Sequence, residues 1–506
     1  MPTLRFHPWL WAGVAAAAVV LLPLNLLSLQ PLHQDEALYA TWAQQIASGQ
    51  DVWLSQTAID KPPLYLYVLA GAMRLLGSGS TAARLPSLLA SAATVLLTFW
   101  LGRRLYNPAT GLLAAWLAAL SPFTLMFAPT AFTDPLLVAL VLGSAVAAAH
   151  GRAGWAGFWL GLAIATKQQG VLFVPLAAGI GLIAGGRRAE LLRFGLALAA
   201  VALAALGWDM ARSQPAGFLA ASSANYGGLF ADPAAFAERW QGFTDLLALA
   251  TASPLLNGIF LAGLPLLLAV GGWQIIRRPV WRFAAVDWLL ACFALAFLLL
   301  HALFSFQVWD RYLLGLIPLL ALLLARILLL PLAIYDLRPV PARVFTIYDF
   351  GFSIYNSQFT IHNFWAGVIA LLLAASLARP VQDAINARYP LGSHSDALRG
   401  IEQITAYLQG HAGANSTLYH HWLGPYWRFY LAGYPYDLQY WAIPIELAAR
   451  ARPGHLIAFP TNRSETETRI ALAGAGLRLH ELTRAFAPDG RPTIILYRLE
   501  AADASP

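Results

Sequence analysis

The chain has 506 residues, of which 59% are apolar and only 11% are charged, against about 25% charged residues in an ordinary soluble domain. The mean hydropathy is +0.60, and a soluble core of this size cannot hide so much apolar surface. The composition therefore excludes a soluble globular enzyme, a disordered protein and a disulfide-rich secreted module. The formal charge of +7 comes from short basic clusters between apolar runs, a pattern typical of membrane proteins and not of nucleic-acid-binding faces.

Eleven apolar runs predict membrane-spanning helices. The first follows a basic flank and no Ala-x-Ala cleavage site follows it, so we interpret it as a retained anchor and not a removed signal peptide. Arginines in alternate loops place the N-terminus in the cytoplasm and the end of the chain outside it. The predicted spans, the fourth and fifth of them short, cover residues 9–29, 85–102, 110–128, 135–149, 154–166, 170–185, 191–210, 254–276, 283–305, 312–333 and 363–378.

The long first outer segment, residues 30–84, contains two helical patterns that are too polar or too short to span. They lie around residues 36–48 and 63–77, and we expect them to rest on the membrane surface. The fold class predicted is therefore mainly α, a polytopic helical bundle with juxtamembrane helices. We expect residues 1–379 to form the transmembrane catalytic domain.

Residues 380–506 have shorter apolar runs and more frequent charges, which favours a small extracytoplasmic α/β domain. An amphipathic helix is expected around residues 401–408. Residues 455–460 and 493–499 have the composition of buried strands, with a helix near 465–477 between them. Residues 334–362 are too polar for a clear span and too aromatic for an ordinary linker, so their structure stays open.

A cluster of aromatic residues marks one part of this domain. Aromatic faces can stack on sugar rings, but the same residues can equally pack against the membrane part, and we favour packing. The adjacent pair His420 and His421 has poor spacing for one metal ion. The aromatic residues are Tyr419, Trp422, Tyr426, Trp427, Phe429, Tyr430, Tyr434, Tyr436, Tyr440 and Trp441.

Acidic and basic residues gather at the outer ends of the predicted spans, where they are costly unless they pair or work. Carboxylates can deprotonate a hydroxyl, and Lys or Arg can hold a phosphate and stabilise its charge. Of the 32 basic residues, only Lys61 and Lys167 are lysines, so a lysine is an unusual choice in this chain. The other charged residues at this depth are Asp35, Glu36, Asp134 and Arg311.

Five of these six residues also have a purely structural interpretation. Asp35 and Glu36 can cap a surface helix, and Asp134 can begin a helix before a proline. Lys61 can extend to lipid headgroups from a stiff Lys-Pro-Pro turn. Arg311, beside two aromatic residues, can anchor a helix at the membrane interface.

The motifs around these residues resemble a known class. The Asp-Glu pair after the first span, followed by Lys-Pro-Pro, Thr-Asp-Pro, Thr-Lys-x-x-Gly and Arg-Tyr-Leu-Leu on the same membrane side, is similar to the signature of the GT-C class of glycosyltransferases. The narrower resemblance is to the branch that uses polyprenyl-phosphate sugars, which includes protein O-mannosyltransferases and bacterial lipid A aminoarabinose transferases. The resemblance covers roughly residues 9–330.

This resemblance implies an inverting sugar transfer with a polyprenyl phosphate as the leaving group. Asp35 would be the general base toward the acceptor hydroxyl, and Glu36 its neighbour that tunes or orients it. Asp134 would be a second catalytic acid that positions the acceptor or assists the base. Arg84 is also compatible with a membrane anchor. The residues implied to contact the carrier phosphate or the sugar are Lys61, Lys167, Arg311, Tyr39 and Arg84.

The partners implied are a polyprenyl-phosphate-linked sugar, membrane lipids and an extracytoplasmic acceptor that is a glycolipid, a protein or an envelope glycan. No nucleic acid is expected. The sequence requires no cofactor. A divalent ion near Asp35 and Glu36 stays an open alternative that no feature of the sequence supports. The abundance of Arg and Ala suggests a GC-rich bacterium and hence its inner membrane. The alternative is a transporter or flippase for a lipid-linked substrate, since intramembrane charges also mark transport pathways.

Overall fold

The computed structural model of the chain is mainly helical, with one small β-sheet near the C-terminus. It describes residues 7–29, 31–224, 230–277, 281–336, 357–392, 400–411, 416–487 and 490–502.

The first part of the chain is a succession of helices joined by short turns. Proline stands at or next to the first position of many of them, where its missing N–H costs nothing. The helices are α1 Pro8–Leu21, α2 Leu24–Leu29, α3 Gln34–Ser48, α4 Pro63–Leu76, α5 Ser80–Leu105, α6 Pro108–Ala119, α7 Pro122–Phe127, α8 Asp134–Ala149, α9 Ala153–Thr166 and α10 Val174–Ile183.

The helices that follow are longer. Two short 3-10 segments, Gln168–Phe173 and Asp310–Leu316, lead directly into α10 and α16. The helices are α11 Arg188–Ala211, α12 Phe218–Ala224, α13 Phe236–Ala248, α14 Pro254–Arg277, α15 Trp281–Leu303, α16 Ile317–Asp336 and α17 Ser357–Ile385.

Seven helical segments in the described part of the chain are long and apolar enough to cross a membrane. Shorter apolar helices occupy four further predicted spans, and the two predicted surface helices are α3 and α4. The predicted fold class is confirmed, while the total of eleven spans stays a prediction. Most of residues 334–362 lies outside the described residues. The seven segments are Pro8–Leu27, Ser80–Leu105, Arg188–Ala211, Pro254–Trp273, Arg282–Leu303, Asp310–Leu332 and Phe364–Ile385.

Small residues let neighbouring helices approach closely in the bundle. A Cβ atom at Gly157 of α9 would collide with the carbonyl oxygen of Phe194 on α11, and one at Gly161 would lie 2.7 Å from Cβ of Val201. Backbone contact of this kind replaces the hydrophobic driving force that lipid removes. The glycines of α9 therefore fix its packing on α11.

The C-terminal part is an α/β unit built on five strands. The sheet order is β2-β1-β3-β5-β4, with β1 parallel to β2 and β3, and β5 antiparallel to β3 and β4. The predicted strands and helices are present as β3, β5, α18 and α21. The elements are α18 Ile401–Gly410, β1 Ser416–His420, α19 Gly424–Tyr430, β2 Tyr436–Tyr440, α20 Pro444–Arg450, β3 Leu456–Pro460, α21 Thr466–Gly474, β4 Leu477–Phe486 and β5 Pro492–Ala501.

The ten aromatic residues of this cluster differ in burial, and three of them, Trp422, Tyr430 and Tyr436, are half-buried. Five rings, those of Tyr419, Tyr426, Trp427, Phe429 and Trp441, are buried in the protein core. Only two of the ten, Tyr434 and Tyr440, are exposed. Packing therefore accounts for half of this cluster.

The C-terminal unit contacts the start of α3. The hydroxyl of Tyr430 on α19 accepts a hydrogen bond from the backbone N–H of Leu32 at 3.2 Å. The side chain of Gln34 donates to the carbonyl oxygen of Trp422 at 3.4 Å. The sheet unit therefore sits over the end of the bundle at which Asp35 and Glu36 lie.

Candidate active site

The first turn of α3 is fixed by reciprocal capping. Nδ1 of His33 accepts from the backbone N–H of Asp35 at 3.1 Å, and the carboxylate of Glu36 accepts from the backbone N–H of His33 at 2.6 Å. The other carboxylate oxygen of Glu36 accepts from the backbone N–H of Ala131. Glu36 is fully buried, so it holds α3 against the loop before α8 and does not reach solvent.

Asp35, in contrast, does not cap its helix. Its Oδ2 lies 2.5 Å from Nη1 of Arg311, which the 3-10 segment after α15 presents. The neighbouring Asp310 accepts from the backbone N–H of Arg311 at 2.8 Å and from that of Gly392 at 2.7 Å. The guanidinium of Arg311 also lies 4.0 Å from the ring centre of Trp309. The arginine is therefore oriented from several sides.

A second ion pair lies beside the first. Nζ of Lys167, between α9 and the following 3-10 segment, lies 2.6 Å from Oδ1 of Asp134 at the start of α8. Both residues are buried, and the ammonium stands 4.8 Å from the ring centre of Tyr312. The carboxylate of Asp134 thus pairs with a cation and does not only begin a helix.

Lys61 completes the set of cations. It forms an ion pair with the adjacent Asp60 and lies 5.6 Å from the ring centre of Tyr39 on α3. The side chain of Gln168 donates to the backbone carbonyl of Asp60 at 2.8 Å. These contacts direct the side chain of Lys61 into the protein. A contact with lipid headgroups would require it to point toward the membrane surface.

These elements enclose a polar cavity of about 230 Å³. Five of the eight residues singled out in the sequence line it. Glu36 and Asp134 stand behind it as the partners of Ala131 and Lys167. The lining residues are Asp35, Leu38, Tyr39, Asp60, Lys61, Lys167, Gln307, Trp309, Arg311 and Tyr312.

Arg84 does not line this cavity. Its guanidinium is buried and donates to the carbonyl oxygens of Leu27 at 2.9 Å and Pro31 at 3.0 Å. It therefore ties α5 to the connection between α2 and α3. The structure places it as a support for the start of α3.

The charges around the cavity set its electrostatics. Burial alone would raise the pKa of Asp35, but Arg311, His33 and Lys61 together hold it below the usual value of 3.8. Burial lowers the pKa of Lys167 to about 8, with Arg311 and Lys61 adding to the fall and Asp134 opposing it. Asp35 is therefore a carboxylate at neutral pH, and Lys167 loses its charge in mildly alkaline solution.

Several residues of this region were not found from the sequence. Gln307, Trp309 and Tyr312 line the cavity, and an aromatic pair beside Arg311 was the available signal. Arg239 on α13 donates to four backbone carbonyls, those of His301, Ala302, Phe304 and Phe306. It thereby fixes the segment that leads to Arg311, and its position in an outer loop gave no sign of this.

The cavity suits an anionic, phosphate-bearing ligand. Three cationic side chains and two carboxylates face it, and Lys and Arg bind phosphate readily. Among the described residues, no group of three or more His, Cys, Asp and Glu side chains is placed to hold a metal ion.

Comparison with known proteins agrees with the motifs. Residues 60–208, less than a third of the chain, match the family model described as dolichyl-phosphate-mannose-protein mannosyltransferase. No curated protein sequence matches the chain significantly.

The fold is similar to that of solved membrane proteins. ArnT from Cupriavidus metallidurans in the apo state is 17% identical, with a TM-score of 0.63 over 98% of this chain and 99% of that one. The same protein bound to undecaprenyl phosphate is 17% identical, with a TM-score of 0.62 over 96% and 97%. The oligosaccharyltransferase of Archaeoglobus fulgidus is 11% identical, with a TM-score of 0.52 over 97% of this chain and 74% of that one.

At these identities the structural likeness establishes the fold, and the family match adds a sequence likeness over the segment that contains Lys61, Asp134 and Lys167. The resemblance inferred from the motifs is confirmed: this chain is similar, in sequence over residues 60–208 and in fold over nearly its whole length, to the GT-C class of membrane glycosyltransferases.

Proposed function

We propose that this protein is an integral-membrane glycosyltransferase that moves a sugar from a polyprenyl-phosphate carrier to an extracytoplasmic hydroxyl acceptor. The observation that carries the proposal is the polar cavity, in which the Asp35 carboxylate faces Lys61, Lys167 and Arg311. A base and a set of phosphate-binding cations in one small site are what this transfer requires.

The carrier phosphate is assigned to the three cations. Arg311 can offer two parallel N–H groups to phosphate oxygens, and the lysines act as compact point charges. The fold is shared with ArnT, which has been crystallised with undecaprenyl phosphate bound, and this supports a polyprenyl phosphate as the carrier here. Because the helices around the cavity are apolar, we assign the hydrocarbon chain of the carrier to the surrounding lipid.

Transfer is a single displacement. Asp35 takes the proton from the acceptor hydroxyl while the hydroxyl oxygen forms a bond to the anomeric carbon. The bond between that carbon and the phosphate oxygen breaks, and its electron pair leaves on the phosphate. Lys61, Lys167 and Arg311 stabilise the charge that develops there, and the configuration at the anomeric carbon inverts.

Arg311 links donor binding to the strength of the base. Its contact with Asp35 lowers the pKa of that carboxyl, which makes Asp35 a weak base while the pair is closed. A donor phosphate competes for the same guanidinium. Binding of the donor therefore draws Arg311 away, raises the proton affinity of Asp35, and activates the base only when the sugar is present.

Three further residues support the site without lining the cavity, namely Glu36, Asp134 and Arg84. Glu36 and Arg84 hold the start of α3, which carries Asp35. Asp134 holds Lys167 in place through its 2.6 Å contact. A transport function would require charges along a path through the bilayer, whereas these groups converge at one end of the bundle beneath the C-terminal unit, which favours transfer.

We assign the active site and the C-terminal unit, residues 380–506, to the extracytoplasmic face of a bacterial inner membrane. The alternation of arginines between loops supports this orientation. A cytoplasmic N-terminus then places α3, Lys61 and Arg311 on the outer side.

The test is turnover of a polyprenyl-phosphate sugar labelled in the sugar by the purified protein in lipid. Replacing Asp35 with Asn keeps the size of the side chain but removes the base. We expect the rate of sugar release to fall by about 10²–10⁴-fold.

The matched control is Asp245→Asn on α13, an acid outside the cavity, which should leave the rate unchanged. Full-rate release by a folded Asp35→Asn variant would exclude Asp35 as the base. Release by neither the wild type nor the variants, together with flux of the intact lipid across the vesicle membrane, would favour the transporter.

A further inference from the structure

A second polar cleft lies on another face of α3. It has a volume of about 770 Å³ and is enclosed by the second half of α3, the turn between α4 and α5, and α19 with the loop that follows it. The first half of α3 lines the catalytic cavity with Asp35, Leu38 and Tyr39. One helix therefore serves both sites, and Gln44 lies about 13 Å along the helix axis from Asp35.

The lining of the cleft is polar but almost uncharged. Arg428, which is exposed, is the one ionisable group besides Tyr430 among the described residues that line the cleft, and none of these residues is a carboxylate. Amides and hydroxyls both donate and accept hydrogen bonds. The polar residues of this kind are Thr41, Gln44, Gln45, Gln50, Ser48, Ser78 and Ser80.

Aromatic side chains from α19 form the opposite wall. Trp427 and Phe429 are buried there, with Tyr430 beside them. The indole N–H of Trp427 is fully buried and has no hydrogen-bond acceptor among the described residues. An unsatisfied buried donor costs about 1–3 kcal/mol, and Trp427 is among the residues that line the cleft.

Amides and hydroxyls opposite the half-buried ring of Tyr430, without carboxylates, match the chemistry of a neutral sugar. A sugar ring offers hydroxyls to the amides and an apolar C–H face to that ring. A metal ion or a cationic ligand would find no carboxylate partner in this cleft. The volume is within the range of ordinary ligand sites, about 300–1,000 Å³.

We propose that this cleft binds an uncharged oligosaccharide, namely the part of the acceptor glycan remote from the hydroxyl that reacts. This assignment of the acceptor rests on the glycosyltransferase function proposed above. Binding at a distance from the reacting hydroxyl would select the acceptor and orient it, while the small catalytic cavity receives only the terminal sugar. The C-terminal unit supplies α19 to the cleft and thus takes part in the choice of acceptor.

A large side chain introduced at Gly79 would block the cleft. Gly79 lies in the turn before α5 with a φ of −83°, and a Cβ atom built on it meets nothing within 4 Å. Gly79→Trp therefore fills the cleft without backbone strain. Gly71→Trp on the exposed face of α4 is the matched control, because a Cβ atom there also meets nothing and Gly71 does not line the cleft.

The experiment is a saturation-transfer NMR titration of the full chain in lipid nanodiscs with maltotriose, mannotriose and chitotriose. We expect at least one neutral trisaccharide to bind, Gly79→Trp to weaken its affinity by about tenfold or more, and Gly71→Trp to change it less than about twofold. A smaller loss, about five-fold, is expected for Gln44→Leu, with Gln241→Leu on α13 as its control.

No binding of any of the three trisaccharides to the wild type would overturn the proposal, as would unchanged affinity in a folded Gly79→Trp variant. Binding restricted to a sulfated trisaccharide would also overturn it, since it would assign the site to an anion at Arg428. Sugar release from the donor is measured in parallel without acceptor. If release fails while the trisaccharide binds, the cleft still binds a glycan, but its assignment to the acceptor falls together with the catalytic proposal.

Discussion

Two Arg–Asp pairs in the membrane part of this protein have very different surroundings. In the first, one oxygen of Asp35 contacts Arg311, and the Asp35 side chain is 31% exposed at the edge of a cavity. In the second, Asp287 of α15 is 1% exposed and contacts Arg326 of α16 at 3.0 Å and 3.2 Å. Its Oδ1 also accepts from the hydroxyl of Tyr106 at 2.7 Å.

An intramembrane charge therefore does not by itself mark an active site. Both carboxylate oxygens of Asp287 are engaged by groups from two other helical elements, so it joins α15 to α16 and to the end of α5 as a structural clamp. Asp35 keeps lone pairs that face a cavity. Exchangeable partners and space for a ligand are the features that distinguish function from structure here.

The largest effect is expected when the carboxylate of Asp287 is removed. Asp287→Ala leaves Arg326 buried without its partner, and we expect a loss of about 3–5 kcal/mol in unfolding free energy. The measurement is chemical denaturation in detergent. The double variant Asp287→Leu/Arg326→Met should recover most of this stability, and a sugar-release defect in a fully stable Asp287→Ala protein would contradict the clamp.

Replacing Arg311 tests the role of the Asp35–Arg311 pair. Arg311→Ala should raise the KM for the polyprenyl-phosphate sugar by about 10–100-fold, because a charge-assisted contact contributes about 1.5–3 kcal/mol. The partly exposed Asp35 that remains can be hydrated, so we expect little loss of stability. Comparison with Arg326→Ala, which should lose stability and expression, completes the test. An unchanged KM would remove Arg311 from the phosphate site.

The pH dependence of donor binding tests the role of Lys167. Its pKa of about 8 means that it is protonated below that pH and neutral above it, so phosphate binding weakens as pH rises. We expect KM for the donor to rise several-fold between about pH 7 and about pH 9. Lys167→Arg keeps its charge over this range and should flatten the profile. Asp35, whose pKa lies below 3.8, stays ionised throughout and adds no further change.

The smallest effect is expected at Arg84. Arg84→Lys keeps the charge but loses the fork that reaches the carbonyls of Leu27 and Pro31. The expected cost is about 0.5–1.5 kcal/mol of stability with an unchanged KM for the donor. Thermal unfolding and donor titration check the two parts. A large rise in KM without loss of stability would return Arg84 to the substrate-binding group.

The sequence carried enough to predict most of the helical part. The long apolar runs coincide with helices because a chain in lipid must satisfy its backbone hydrogen bonds within each segment. Proline produced the differences in detail. The first run is broken around Pro23, and the third is divided before Pro122 into α6 and α7, since proline cannot donate a helical hydrogen bond.

The small sheet was less predictable. The strands β3 and β5 are strongly apolar and were expected, whereas β1, β2 and β4 mix polar and apolar residues. Their strand conformation depends on partners that lie far away in the sequence, such as the pairing of Thr417 with Asp437 and of Leu418 with Leu456. Local composition contains no information on such pairing.

By itself, the sequence determined a membrane-embedded helical bundle and placed Asp35, Lys61, Lys167 and Arg311 at one depth, because hydropathy and loop charge fix which helix ends share a membrane face. Only the tertiary structure decided which charges meet. It separated Asp35 at the cavity from the buried cap Glu36, one residue away, and it paired Lys167 with Asp134 and Arg326 with Asp287. Side-chain partners are selected by helix rotation and packing across distant segments, and these are properties of the folded bundle and not of any single run of residues.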